Sequence, residues 1–260
     1  MEKHIIGRGL VAGALAGVIA FVFARIFVEP VIDRAIGFED GVGAAHEAMH
    51  GGHEHGAEVF TRGVQANIGL GFGVIAFSVA MGALFAVVFA VAYGRVGNVS
   101  ARGLSLYVAG GMLLSLYVVP ALKYPANPPA VSLEETIRQR TLLYLLMVVL
   151  SAALFVGAVY LGRQLAERLG AWNATLAAAG SYIAAIAVVM LILPTIDETP
   201  GPLRDNAGNM VYEGFPADDL YQFRLYSLGT QVVMWTTIGL VFAVLAARLL
   251  DEKRRDAVPA

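Results

Sequence analysis

Six stretches of this chain run about twenty residues each with scarcely a charge, and few folds can accommodate that. They lie near residues 9–28, 69–93, 104–122, 142–161, 174–193 and 229–250. A helix rising 1.5 Å per residue needs roughly 20 apolar residues to cross a hydrocarbon core about 30 Å thick. Only 15% of the 260 residues are charged and 58% are hydrophobic, whereas soluble domains carry about 25% charge. The runs are continuously apolar rather than alternating, which argues against a β-barrel. The sequence therefore predicts an all-α integral membrane protein of about six transmembrane helices, each satisfying its own backbone hydrogen bonds as lipid demands.

Charge sets an orientation. Lys3, Arg8, Arg95, Arg102, Arg163, Arg168, Arg248, Lys253, Arg254 and Arg255 fall on one side of the six runs. Most acids fall on the other: Glu29, Asp33, Glu39, Asp40, Glu134, Glu135, Asp197, Glu198, Asp205, Glu213, Asp218 and Asp219. The basic side is expected to be cytoplasmic, with both termini inside and three long loops outside. These loops are 29–66, histidine-containing; 123–140, Pro-rich; and 194–226, acidic. The first run follows Lys3 and Arg8, as a signal peptide would. It is longer than the usual apolar core of about 7–15 residues and continues to Arg25 and Glu29-Pro30, so a retained helix is expected.

The chain then reads as three hairpins in one transmembrane domain, 1–260. Each rising run ends near a proline (Pro30, Pro120, Pro194), and each return run is preceded by acids and then an arginine (Arg62, Arg140, Arg224). A threefold repeat of helix pairs would explain this; so would the ordinary chemistry of helical turns. Gly9, Gly13 and Gly17 share one face of the first helix, and the second run carries Gly69, Gly73 and Gly82. Such spacing lets a neighbouring backbone approach closely. Asp, Glu, Lys and His are missing from the cores of the second, third, fifth and sixth runs, which argues against a pump built on a buried carboxylate relay. Softer polar groups remain for a path: Asn67, Ser78, Ser115, Ser151, Tyr160, Ser181, Thr236 and Thr237, with Met112, Met147, Met190 and Met234.

Four of the five histidines, His46, His50, His53 and His55, crowd the first outer loop beside Glu47, Glu54 and Glu58. Neutral imidazoles prefer cobalt, nickel, copper or zinc, whereas calcium and magnesium prefer oxygen. The cluster signals a divalent transition metal without naming one, and a pH-sensitive or merely solvated loop would look the same. If its first part is helical, His46, His50 and His53 share a face. Gly51-Gly52 would break that helix, so a flexible chelating loop is expected. In the second loop, four prolines between Pro120 and Pro129 predict a rigid extended segment. Lys123, Asn127 and Arg140 are candidates to frame an entrance there, with Arg62 and Arg224 as counterparts in the other loops. Asp197, Glu198, Asp218 and Asp219 could focus cations, or form a solvated acidic loop. The chain has no cysteine, which excludes thiolate ligands. It is read as lacking a P-loop, a dinucleotide fingerprint, an H-E-x-x-H turn and a Gly-x-Ser-x-Gly elbow, and a nucleic-acid surface, and hence as a non-enzyme.

The opening GLVAGALAGVIAFVFARIFVEPVIDRAI, the histidine loop, KYPANPPAV followed by ETIRQRT, and the closing Arg-x-Tyr helix with its basic tail together resemble the CbtA family of predicted cobalt transporter subunits, over nearly the whole chain. The resemblance implies import of cobalt for cobalamin synthesis across the inner (cytoplasmic) membrane. It also implies a small one-span, histidine-bearing companion, CbtB. No metal site comes with it; the histidines are named on this chain's own chemistry. Nickel and zinc stay open as the ion. So does a second function, a membrane scaffold, accessory subunit, or metal or pH sensor.

Overall fold

The computed structural model describes residues 2–51, 61–97, 99–129, 131 and 134–256. They form helices α1 (Glu2–Phe27), α2 (Glu29–His50), α3 (Arg62–Ala92), α4 (Ala101–Lys123), α5 (Glu134–Ile192) and α6 (Ala217–Asp256), with a two-stranded antiparallel ribbon of β1 (Leu203–Arg204) and β2 (Met210–Tyr212). Five helices are long and apolar enough to cross a membrane, and α2 is not among them. The protein is thus an all-α membrane protein. One of the five, α5, spans 59 residues, about 88 Å if it were straight. It is not straight: Gly170 takes φ 76° and ψ 160°, a conformation open to glycine. The two arms, 134–169 and 171–192, fold back on each other. Ser151 Oγ lies 2.8 Å from the Tyr182 hydroxyl, and a Cβ on Gly162 would meet Ala178 at 3.1 Å. Two apolar arms therefore stand where a single rod would have overshot any bilayer.

The chain divides into two compact units. The first comprises residues 1–110, 128–130 and 201–260; the second comprises 111–127 and 131–200. In the first, α1 and α3 run antiparallel along the glycine stripe. A Cβ at Gly9 would sit 2.3 Å from the Gly82 carbonyl oxygen, and one at Gly13 would sit 2.4 Å from that of Ser78. Alanine at either position forces the two backbones apart. Gly73 faces open space, so only part of the glycine pattern in the second run serves packing. Helix α6 closes the unit: Phe242 packs edge-on against Phe85 and Phe89, and Phe23 fills the place a Cβ on Gly229 would take. The second unit packs Met147, Tyr182 and Ile186 with Val119 and Tyr124.

Two segments depart from the sequence expectation. The 29–66 stretch is not loop throughout: its first 22 residues form α2. Pro30 occupies the first turn of that helix, where a missing N–H costs nothing, so the Glu29-Pro30 pair opens a helix rather than a turn. Likewise Pro120 does not end α4, which continues to Lys123. A π-helical turn at Leu114–Val118 precedes it, a common way for a helix to absorb a backbone irregularity.

Candidate functional site

The most heavily organised polar groups are two buried glutamates, one in each unit, each met by an arginine near the start of a return helix. In the first unit Glu29 lies at the junction of α1 and α2, only 1% exposed. Arg62 bonds its carboxylate and reaches Asp33, one turn along α2, at 2.7 Å. Nearby, Arg25 donates to Asn67 Oδ1 at 3.0 Å, and Asn67 sits on a π-helical turn of α3. Burial pushes the pKa of Glu29 up, Arg62 pulls it down, and Asp33 pushes it up again. Two carboxylates thus share one guanidinium. Arg34 ties the same helix to the start of α6, donating to Asp219 at 2.6 Å and to Gln222 at 2.8 Å.

In the second unit Glu198 is 4% exposed and accepts from three side chains: Thr136 at 2.6 Å, Asn127 at 3.0 Å and Arg140 at 3.0 Å. Arg140 also donates to the Pro125 carbonyl. Tyr124, its phenol pushed up by burial, donates to the Pro194 carbonyl at 2.7 Å. The Pro-rich strand, the first turn of α5 and the third loop are therefore knotted together at one carboxylate. A cleft of about 310 Å³ opens beside it, walled by Tyr117, Tyr124, Ile137, Tyr144 and Leu145, with Arg140 at the edge. An apolar wall edged by a guanidinium suits an apolar or anionic group better than a bare cation.

Asn127 and Arg140 meet at Glu198, whereas Lys123, the last residue of α4, stands outside that knot. Arg62 meets Glu29; Arg224 lies half-buried on α6. The expectation of a solvated acidic loop fails for Glu198, which is buried, and for Asp219, which is paired with Arg34. Nothing local distinguished Glu198 from its acidic neighbours, because its three partners are distant in sequence. For Glu29 a signal existed: a carboxylate directly before a helix-opening proline.

His46 and His50 ride the exposed last turn of α2, so this part of the expected flexible loop is helix. Their rings stack with centroids 4.5 Å apart and planes 22° apart, and His50 Nδ1 lies 3.2 Å from the His46 carbonyl oxygen. Gly51 caps the helix in the left-handed conformation, donating to the Glu47 carbonyl at 2.8 Å. His53 and His55 lie outside the described residues. Among the described residues no three His, Asp or Glu side chains converge as a metal site would require. The last turn spells His46-Glu47-Ala48-Met49-His50, the H-E-x-x-H spacing that sets two imidazoles on one helical face. Reading the chain as a non-enzyme passed over this pattern.

The mid-helix polar groups are mostly spent on their own helices. Ser115 bonds Gly111 O, Ser181 bonds Ala178 O and Thr237 bonds Val233 O, while Met147 and Met234 are core packing. Ser78 Oγ and Trp235 Nε1 are buried without a partner among the described residues.

Comparison with known proteins supplies a family. The profile described as probable cobalt transporter subunit (CbtA) matches residues 2–247, nearly the whole chain, and the protein belongs to that family. Comparisons with curated proteins and with solved structures return no match.

Proposed function

For a member of this family we propose a cobalt importer subunit of the inner membrane, feeding cobalamin synthesis. Both termini lie in the cytosol, and the six apolar arms each cross the bilayer. His46 and His50, with His53 and His55, collect the ion outside; Glu29 and Asp33 present the first carboxylates it meets on the first unit. The observation that carries this reading beyond the family match is the helical His46–His50 pair. Two imidazoles one turn apart on an exposed face are the smallest arrangement by which a helix grips one transition-metal ion. Cobalt is the ion; nickel and zinc are tested as competitors. A small one-span companion bearing its own histidines is the expected partner.

The test is cobalt accumulation, by mass spectrometry, in cells expressing the full chain with and without that companion. Uptake should exceed that of empty cells and fall severalfold when His46, His50, His53 and His55 become alanine. Binding without accumulation would favour a sensor or scaffold instead.

A second reading has one observation behind it, the H-E-x-x-H turn. In metallohydrolases the intervening glutamate is the general base. Glu47→Gln separates the two: uptake unchanged supports ion collection, whereas a metal-dependent peptide cleavage lost in this variant supports hydrolysis.

A further inference from the structure

We propose that the hairpin tip of α5 holds one acidic phospholipid, with its headgroup phosphate between Arg163 and Arg168. A cleft of about 610 Å³ opens here, lined by Tyr160, Arg163, Gln164, Leu165, Glu167 and Arg168. Neither arginine forms a hydrogen bond or ion pair among the described residues, and both are exposed. Glu167 stands between them in sequence without bonding either. Arg34, Arg62 and Arg140, by contrast, are each committed to carboxylates. Two open guanidiniums in one cleft therefore ask for an anion, and planar forks of donors suit phosphate oxygens.

The approach to the cleft says which anion. Leu145, Val149, Val156 and Tyr160 are all more than half exposed. Their spacings of four, seven and four residues, with Arg163 three further on, place them on one face of the helix. From Val149 to Arg163 is about 21 Å along the axis, more than half the thickness of a hydrocarbon core. An apolar track thus ends at a cationic cleft, the shape of a lipid with a charged head. Tyr160 and Trp172, 62% and 75% exposed, flank the tip as aromatic residues do at membrane interfaces. Gln164 donates to the Tyr160 hydroxyl at 2.8 Å, fixing the wall of the cleft. Two arginines and Glu167 leave one net positive charge. A monoanionic headgroup bearing hydroxyls balances that charge through its phosphate and offers donors to the Glu167 carboxylate. Phosphatidylglycerol has this chemistry; phosphatidylcholine has neither the net charge nor the hydroxyls.

The full chain, purified in detergent, is titrated with phosphatidylglycerol or chain-matched phosphatidylcholine, and bound lipid is counted by native mass spectrometry. One phosphatidylglycerol should be retained in preference to phosphatidylcholine. Arg163→Gln with Arg168→Gln should weaken it about tenfold, the loss of roughly 1.4 kcal/mol. The control Arg95→Gln with Arg102→Gln, on another basic turn, should leave it unchanged, and all variants should melt as the parent does. Equal retention of both lipids, equal retention by the double variant, a melting profile altered in that variant, or displacement by millimolar inorganic phosphate would each overturn the proposal.

Discussion

Glu29 and Glu198 are equally hidden from solvent, yet they are kept differently. Glu198 has three donors, Asn127 from the Pro-rich segment and Thr136 and Arg140 from the start of α5. Glu29 has Arg62, but Asp33 draws on the same guanidinium, and burial raises its pKa. One carboxylate ties distant stretches of chain together. The other shares its guanidinium with a second acid beside the end of a membrane helix. The lesson is that burial alone does not mark a working carboxylate; the ratio of acids to donors around it does.

The largest effect should come from cutting the Glu198 knot. Arg140→Leu leaves a buried carboxylate without its cation, a loss of about 3–5 kcal/mol. Thermal unfolding in detergent should show a collapse of the melting temperature or no folded protein at all. Arg62→Leu should cost less, about 1–3 kcal/mol, because burial already pushes the Glu29 pKa up and so lowers the cost of neutralising it. Its deficit should shrink on acidification, as Glu29 takes up a proton; a deficit that stays constant would make the two nodes alike.

Glutamine replacements sharpen the contrast. Glu198→Gln removes the charge that pairs with Arg140 and should lose about 1–3 kcal/mol. Glu29→Gln should be close to neutral in stability near pH 7. The pH dependence has a definite sign. A carboxylate raised on folding binds its proton more tightly in the native state, so stability falls as pH rises from its unfolded value of 4.5 through the raised native one,. Relative to Glu29→Gln, the parent should therefore be favoured at the acid end of that window and lose that advantage above it, as read from melting temperatures across pH. If this difference ran the other way, the Arg62 pairing would outweigh burial.

How much of this was visible in the chain differs by feature. The apolar runs and the Gly9–Gly13–Gly17 stripe are local patterns whose consequence is fixed by helix geometry, and they translated directly into long apolar helices and into the α1–α3 contact. The proline signals were ambiguous, since a proline both opens helices and follows their ends. Pro194 closes an arm, Pro30 opens α2, and Pro120 sits inside α4. The donors around Glu198 come from residues 58 to 71 positions away, and no periodicity announces such a meeting. Nor does any local pattern announce that Ser78 and Trp235 bury polar atoms without a partner among the described residues.

The smallest effect belongs to Ser78 in that last pair. Ser78 and Trp235 bury polar atoms that bond nothing among the described residues, so Ser78→Ala and Trp235→Phe surrender no hydrogen bond. Ser78→Ala should shift stability by less than about 1 kcal/mol; Trp235→Phe also empties core volume and should cost about 1–3 kcal/mol. A loss several times larger would mean that one of them is matched to a bound partner, and would move attention from the Glu29 node to the middle of the first unit.

The orientation of the whole molecule is the most direct test. The chain lacks cysteine, so a single thiol can be placed at will. In intact cells a membrane-impermeant maleimide should label His50→Cys, and should label Arg168→Cys only after the membrane is opened. The reverse pattern, with position 168 labelled from outside and position 50 protected, would contradict ion collection by this histidine helix.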